Sequence, residues 1–179
     1  MNGKSVIQII NFGSHFSVVT GDSTQYNTAT LYFVSEPSSS LGFGSDSYEF
    51  VWGQALFSEV GPDSGGSVNA YDIGNADRRA SLTGIQTQDV WHYRSIHLAG
   101  NQNTSARVYD HGVAATMTGG NGTALNAKLT VDLLNAYGDY YDGHGLWHGR
   151  VAEYMMYNID HDDATRALVE AFLTSKWGL

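Results

Sequence analysis

The chain has 179 residues, of which 18 are acidic and 9 basic, giving a formal net charge of -9, and it contains no cysteine. This acidity argues against DNA, RNA or an anionic membrane surface as a main partner, because phosphate binding needs clustered Lys and Arg. The lack of cysteine excludes disulfides and thiolate metal sites. No apolar run of about 18 residues is present, so no membrane span is predicted. We expect a single domain over 1–179, because no Pro-rich or charged linker divides the sequence.

Short strand-like segments follow one another along the chain, separated by turn residues. They cover 5–11, 15–20, 28–35, 48–57, 67–73, 91–99, 105–110, 113–117, 127–133 and 150–157. The continuous apolar run at 28–35 is typical of a central strand buried on both faces, and His111-Gly112 fits a tight hairpin turn. The 21 glycines and only 2 prolines also fit tight turns. About ten or more strands of this kind favour a sandwich or a barrel.

One amphipathic helix is predicted near the C-terminal end, over about 162–176. Asp162 is a good N-cap, and Asp163 places a negative charge near the positive end of the helix dipole. Gly178 suits the C-terminal end, and Trp177 is expected to pack back on the sheet. The helix carries small and apolar residues in a stripe that we expect to lie on the sheet: Ala164, Ala167, Leu168, Ala171, Phe172 and Ser175.

The C-terminal segment has the most specific sequence pattern in the chain. It reads GRVAEYMMYNI, followed by the helix that ends in Lys176-Trp177-Gly178. Asn2-Gly3-Lys4 precedes an apolar strand, and Val108-Tyr109-Asp110-His111-Gly112 forms a central hairpin. Together with Thr28–Pro37 and 129–136, these segments resemble LamG-like jelly-roll domains of the concanavalin A-like lectin/glucanase superfamily. The resemblance implies an all-β, antiparallel β-sandwich of jelly-roll type with one C-terminal α-helix.

Two positions and one boundary depart from the pattern of that family. His161 stands where the family usually has Leu, and Thr165 stands where it often has Glu, so the entry to the helix is less well stapled. Many relatives also carry a further segment before the Asn-Gly-Lys strand, where this sequence starts. A missing sheet edge could therefore be supplied by a neighbouring copy of the chain, in a homo-oligomer, or the sequence could be a trimmed piece of a longer protein.

The densest polar and aromatic cluster lies in a loop over 139–148. Aromatic rings there can stack on the apolar face of a sugar, and Asp and His side chains can bond its hydroxyl groups. The candidate ligand-binding residues are Asp139, Tyr140, Tyr141, Asp142, His144, Trp147 and His148. The plainer interpretation is an ordered loop whose Tyr and Trp side chains pack on the edge of the sandwich.

Metal binding by the same loop is a further alternative. Asp139 and Asp142, with a backbone carbonyl, are oxygen ligands of the kind that Ca²⁺ takes. His144 and His148 suit a transition metal, but no spacing motif fixes such a site. No cofactor or metal is therefore predicted, with Ca²⁺ left open.

Carboxylates in the sequence do not form the pattern that glycoside hydrolysis needs. Hydrolases of the same superfamily place an acid and a second carboxylate on one strand, so that both face the substrate. Glu49 and Glu59 have no partner nearby in the sequence, and Glu153 is alone in its strand, where a structural role is expected. There is also no Gly-x-Ser-x-Gly nucleophile elbow. The sequence accordingly predicts that the chain is not an enzyme.

Three functions stay open at this level. The first is a non-enzymatic interaction or structural module of a phage virion (a capsid decoration, tail or fibre component) that contacts other protein chains of its assembly and, secondarily, glycans. The second is a lectin-like carbohydrate-binding module, and the third is a glycan-cleaving enzyme. The start of the chain lacks the apolar core of a signal peptide, which favours a virion over export, although an extracellular surface is also consistent with this fold.

Overall fold

The computed structural model describes the backbone of residues 7–9, 16–19, 25–26, 28–37, 48–52, 56–59, 69–73, 78–82, 89–100, 103–119, 127–128, 130–133 and 149–179. It describes the side chains of 28–36, 89–100, 104–119 and 150–179.

The described backbone is built from strands and one C-terminal helix. In chain order, the strands are β1 (Ile7–Ile9), β2 (Phe16–Val19), β3 (Gln25–Tyr26), β4 (Thr28–Pro37), β5 (Tyr48–Trp52), β6 (Leu56–Glu59), β7 (Asn69–Ile73), β8 (Arg78–Leu82), β9 (His92–Ala99), β10 (Ala106–Asp110), β11 (Val113–Ala114), β12 (Thr116–Gly119), β13 (Ala127–Lys128), β14 (Thr130–Leu133) and β15 (Gly149–Tyr157). The helix α1 spans Asp163–Trp177, one residue later at each end than expected. The prediction of a mostly β chain with one C-terminal helix is confirmed.

Within the described ranges, the strands form two large antiparallel sheets and a short pair. One sheet has six strands in the order β1-β15-β4-β9-β10-β11, and the other has seven in the order β12-β8-β7-β6-β5-β14-β2, while β13 pairs with β3. The chain passes from the first sheet to the second between β11 and β12, and β10 lies close to β8 of the second sheet.

The central strand β4 is buried on both of its faces. Every side chain from Ala29 to Glu36 is buried, as its continuous apolar run predicts. Side chains alternate across a strand, so Tyr32 and Val34 face the helix while Leu31 and Phe33 face the opposite side. Both sides of the six-stranded sheet are therefore covered around β4, and the helix supplies one of the two covers.

Helix α1 begins and ends with the capping residues that the sequence indicates. The Asp162 side chain accepts a hydrogen bond from the Thr165 backbone N–H at 2.8 Å, and Gly178 adopts a left-handed conformation with φ of 74°. The Gly178 N–H donates to the Thr174 carbonyl, which closes the last turn.

The face of the helix that packs on the sheet is not the one expected from the sequence, and that prediction was wrong. The whole predicted stripe is exposed, with Leu168 at 73% and Phe172 at 51% of their full exposure. The helix instead buries Glu170, Leu173 and Trp177. Leu173 and Trp177 join Tyr32 and Val34 of β4 in one apolar cluster.

Polar and aromatic contacts at the two ends of the helix explain this choice of face. Near the C-terminal end, the Glu153 carboxylate of β15 accepts hydrogen bonds from Lys176 Nζ and Trp177 Nε1, each at 2.6 Å. Near the N-terminal end, the Arg166 guanidinium lies 4.0 Å from the centre of the Tyr109 ring. Charge-assisted hydrogen bonds and cation–π contacts are directional, whereas four of the six residues in the exposed stripe are Ala or Ser and gain little by burial. The anchors therefore set the rotation of the helix.

The hairpin that joins β10 to β11 turns at His111-Gly112, as predicted. Both residues have positive φ, 46° and 75°, which a tight two-residue hairpin requires. The turn lies beneath the helix: a Cβ atom at position 112 would stand 3.2 Å from Glu170 Oε2. The helix and the hairpin are thus in direct contact.

Alanine substitution of two leucines in α1 tests which face of the helix packs on the sheet. Leu173→Ala is expected to lower the free energy of unfolding by about 2–5 kcal/mol, because Leu173 is fully buried. The matched control Leu168→Ala should change it by no more than about 0.5 kcal/mol, because Leu168 is in solvent. Urea denaturation followed by circular dichroism measures both, and a larger loss for Leu168→Ala would place the opposite face on the sheet.

Alanine substitution at two glycine positions tests the close approach of the hairpin to the helix. Gly112→Ala is expected to destabilise the fold by about 1–3 kcal/mol, since the residue has positive φ and its new methyl group would press on Glu170. Gly100→Ala serves as the control, because a Cβ there meets Ser105 Oγ at an ordinary 3.7 Å. Thermal unfolding compares the two variants, and equal melting temperatures would contradict the close approach.

Candidate functional site

Several strand ends meet at one end of the six-stranded sheet. Gly149, the first residue of β15, pairs with Pro37 at the end of β4, and His92, the first residue of β9, pairs with Ser35. Asp110 closes β10 at the same end. The chain enters β15 at Gly149 directly after the predicted 139–148 loop. We call this end of the sheet the rim.

The seven predicted ligand-binding residues lie outside the described residues. Their grouping into a site stays a prediction: Asp139, Tyr140, Tyr141, Asp142, His144, Trp147 and His148. The described part of the rim contributes other residues that the sequence reasoning did not single out, from β4, β9, β10 and β15.

On the helix side of the rim, an exposed guanidinium is held in place from two directions. Arg150 forms an ion pair with Glu36, whose side chain is only 5% exposed, while that of Arg150 is 45% exposed. The Arg150 guanidinium also lies over the Trp91 ring, 5.4 Å from its centre. Such a pre-oriented guanidinium keeps N–H donors available for oxygen atoms of a ligand.

On the other side of the rim, β9 and β10 bring together a buried polar group. Arg94 Nε donates a 2.8 Å hydrogen bond to Asp110 Oδ1, and both side chains are buried. His92 Nδ1 lies 3.5 Å from the same oxygen. Burial favours a raised pKa for Asp110, but the neighbouring His92 and the Arg94 charge outweigh it and hold that pKa below its usual value.

His111, at the hairpin turn, completes this group from the solvent side. Its ring lies 5.3 Å from the His92 ring and 4.6 Å from the Tyr93 ring, measured between centres. Burial lowers the pKa of His111, against the opposing effect of Asp110, and the ring bonds to the backbone of Trp91. Among the residues with described side chains, His92, Asp110 and His111 form the group whose ligand atoms are close enough to share a metal ion.

A second polar network lies at the far end of the sheet. Arg107 binds both carboxylate oxygens of Asp160, each at 2.7 Å. The same carboxylate lies 3.3 Å from His97 Nδ1, and His97 Nε2 contacts Ser95 Oγ at 3.1 Å. Burial, together with the charge of Arg107, lowers the pKa of His97 to about 4 even though Asp160 favours the protonated form. His97 is therefore neutral at pH 7.

Side-chain contacts to this network hold the segment before the helix. Thr30 Oγ1 donates to the Ile159 carbonyl at 2.8 Å and accepts from the His161 N–H at 3.0 Å. Burial raises the pKa of Tyr32 far above its usual value, so its hydroxyl stays protonated, and it shares a hydrogen bond of 3.0 Å with His161 Nδ1. The His161 position, an irregularity against the family pattern, thus has a structural partner on β4.

The described carboxylates give no catalytic pair around Glu153. Both of its oxygens bind the helix through Lys176 and Trp177, which confirms the structural role expected for Glu153. Glu59 pairs with Tyr48 along the backbone of β5 and β6, and the side chains of Glu49 and Glu59 lie outside the described residues.

Solved structures share this fold at low sequence identity. A carbohydrate-binding protein candidate from Bacteroides ovatus matches with a TM-score of 0.62 and 14% identity, over 86% of this chain and 44% of its own. A module named CBM40 of the Ruminococcus gnavus IT-sialidase, bound to α2,3-sialyllactose, matches with a TM-score of 0.55 and 11% identity, over 93% of this chain and 97% of its own. The heptameric SAP-like pentraxin of Limulus polyphemus matches with a TM-score of 0.55 and 13% identity, over 87% and 75%.

The chain thus spans less than half of the Bacteroides ovatus protein but nearly the whole length of the sialidase module. No protein-family model matches the sequence, and no curated protein matches it significantly. The comparisons therefore show the fold, which is that of lectin-like and carbohydrate-binding structures. In the part of the chain that the structure describes, no helix is long and apolar enough to cross a membrane.

The buried His97 predicts a pH dependence of stability. Its pKa is about 4 in the fold and 6.5 in the unfolded chain, so the unfolded chain binds a proton first as the pH falls. Stability should decline from about pH 6.5 down to about pH 4, by on the order of 2 kcal/mol from this residue. Urea denaturation of the wild type and His97→Gln between pH 7 and 4.5 should show a shallower decline in the variant. Parallel curves would contradict this assignment.

Proposed function

We propose that this chain is a carbohydrate-binding module. The observation that carries the proposal is the match to the sialyllactose-bound module, because the likeness runs through nearly the whole of both chains. Nearly all of that sugar-bound module therefore has a counterpart in this chain. A second carbohydrate-binding candidate among the matches supports the same class of ligand.

The rim is the surface that we propose for the ligand. Arg150 offers an exposed guanidinium fixed by Glu36 and Trp91, and the predicted loop residues 139–148 precede β15 at this same end. Hydroxyl and carboxylate oxygens of sugars accept hydrogen bonds from such donors, and the aromatic residues of the loop would supply the apolar platform. The proposal also includes the predicted contacts of the loop with the sugar. Their residues are Asp139, Tyr140, Tyr141, Asp142, His144, Trp147 and His148.

The same proposal includes the finer features of the fold. We infer that the two sheets pack as a LamG-like jelly-roll sandwich in a single domain over 1–179. The complete burial of Leu31 and Phe33, on the side of β4 away from the helix, supports a second layer there. An extracellular or surface location follows from a ligand of this kind, and assembly with further copies remains part of the proposal.

The other two functions expected from the sequence have weaker support. The matched structures reported above do not support a role in a phage virion, so that role stays a prediction. A glycan-cleaving activity finds no support in Glu153, because both of its carboxylate oxygens are occupied by the helix. Carbohydrate binding without catalysis is the reading that the described residues support best.

A glycan array followed by titration calorimetry with the best ligand tests the proposal. We expect binding by the wild type and a loss of about tenfold or more in affinity for Arg150→Ala, since a charge-assisted hydrogen bond is worth about 1.5–3 kcal/mol. Arg107→Ala is the matched control. Its side chain is 39% exposed and also pairs with a carboxylate, but it lies at the far end of the sheet, so the affinity should change by no more than about twofold.

The results of these experiments test separately whether the chain binds carbohydrate and where on the chain it binds. An array with no bound glycan contradicts carbohydrate binding itself. Binding that Arg150→Ala leaves unchanged contradicts the rim as the contact surface. If Trp147→Ala and Tyr141→Ala also leave the affinity unchanged, the predicted loop is not the site.

A further inference from the structure

We propose that His92, Asp110 and His111 form a binding site for a transition-metal ion of the Zn²⁺ class, at the start of β9 and the β10–β11 hairpin. This site would bind a metal ion rather than a sugar, so the inference does not depend on the proposed carbohydrate-binding function. It uses two imidazole nitrogens and one carboxylate oxygen, a donor set that Zn²⁺ takes with a fourth position left for water or another ligand.

The geometry suits a shared ion. One ligand atom from each of the three residues lies within 4.8 Å of the other two. An ion can then stand within about 2.8 Å of all three, compared with about 2.0–2.1 Å for a Zn–N bond. Side-chain shifts of under about 1 Å close that difference. Asp110 and His111 are neighbours in sequence, but the left-handed conformation of His111 at the turn brings both side chains to the same place.

A buried histidine without a hydrogen-bond partner is the independent observation that points to a ligand. His92 is 4% exposed, and neither of its ring nitrogens has a hydrogen-bond partner in the structure. Leaving such a group unsatisfied in the interior is energetically unfavourable. The 3.5 Å between His92 Nδ1 and Asp110 Oδ1 is longer than a good hydrogen bond. A metal ion would satisfy one of the two ring nitrogens.

The surrounding contacts already orient two of the three ligands. Arg94 Nε donates to Asp110 Oδ1 at 2.8 Å and fixes the carboxylate. The backbone of Trp91 interacts with the His111 ring, which helps to orient that ring. Outer contacts of this kind usually accompany ligating histidines and carboxylates in metal sites.

The donor set also selects the kind of ion. Ca²⁺ takes six to eight oxygen ligands, whereas this site offers one carboxylate. Imidazole nitrogens suit Zn²⁺, Cu²⁺ and Ni²⁺. His111 is exposed while His92 and Asp110 are buried, so an ion would enter from the solvent side of the hairpin.

Titration calorimetry of the full chain, stripped of metal with a chelator, tests this site with ZnCl₂ and CaCl₂. We expect about one Zn²⁺ per chain at micromolar or tighter affinity, and at least about 100-fold weaker binding of Ca²⁺. His111→Asn removes the imidazole and keeps a residue that tolerates positive φ, so the variant should fold. It should weaken Zn²⁺ binding by about 10- to 100-fold. Circular dichroism and the melting temperature without metal verify its fold.

Two controls separate this site from the other histidines. His161→Gln removes a half-buried imidazole that binds Tyr32 and lies outside the group, and it should leave Zn²⁺ affinity within about twofold. The double variant His144→Ala/His148→Ala removes the metal alternative of the predicted loop and should also retain binding. Zn²⁺ should raise the melting temperature of the wild type and of both controls, but not of His111→Asn.

Three outcomes overturn the proposal: no Zn²⁺ binding by the wild type, binding that His111→Asn leaves unchanged, or binding that disappears in the His144→Ala/His148→Ala variant. The last result would indicate that the metal ion binds to the loop at 139–148. Tight Ca²⁺ binding without Zn²⁺ binding would also contradict the site, because its donor set would then be the wrong one.

Discussion

Strand β4 imposes the constraint on which the rest of the structure depends. A strand whose side chains are buried on both faces cannot lie at the surface of a single sheet, so each face needs its own cover. The C-terminal helix covers one face through Leu173 and Trp177. Without it, Tyr32 and Val34 would face water, together with the polar groups that surround them. The helix is therefore an integral layer of the fold, and its position is fixed by contacts at both of its ends.

Those contacts at the two ends of the helix are largely polar. Glu153 accepts two short hydrogen bonds from adjacent residues at one end, and Arg166 rests on Tyr109 and pairs with Glu170 at the other. Hydrophobic burial is non-directional, so it favours packing of the helix on the sheet without specifying which face of the helix turns inward. The charged groups make that choice, and the exposed Leu168 and Phe172 show that it can oppose the apolar pattern.

The sequence was sufficient for the elements whose signals are local. The strand at 28–35, the tight turn at His111-Gly112, the cap at Asp162 and the anchoring of Trp177 each follow from neighbouring residues, and the structure has them. The rotation of the helix depends on Glu153 and Tyr109, which are distant in sequence, so the pattern within the helix could not reveal it. The same holds for the rim: His92 and Asp110 meet only because β9 and β10 pair, and no short motif joins them. The loop at 139–148 remains a prediction.

The place of β15 in the sheet has a consequence for how the chain acquires its structure. This strand is synthesised after β1 and β4, yet it lies between them in the sheet. The six-stranded sheet therefore lacks its second strand until β15 has been synthesised, and the nascent chain must keep the unpaired edges of β1 and β4 apart until then. Pairings between such distant segments make folding slow, and exposed edges invite association with other nascent chains. Chaperone dependence and sensitivity to the loss of β15 are the expected costs of this strand order.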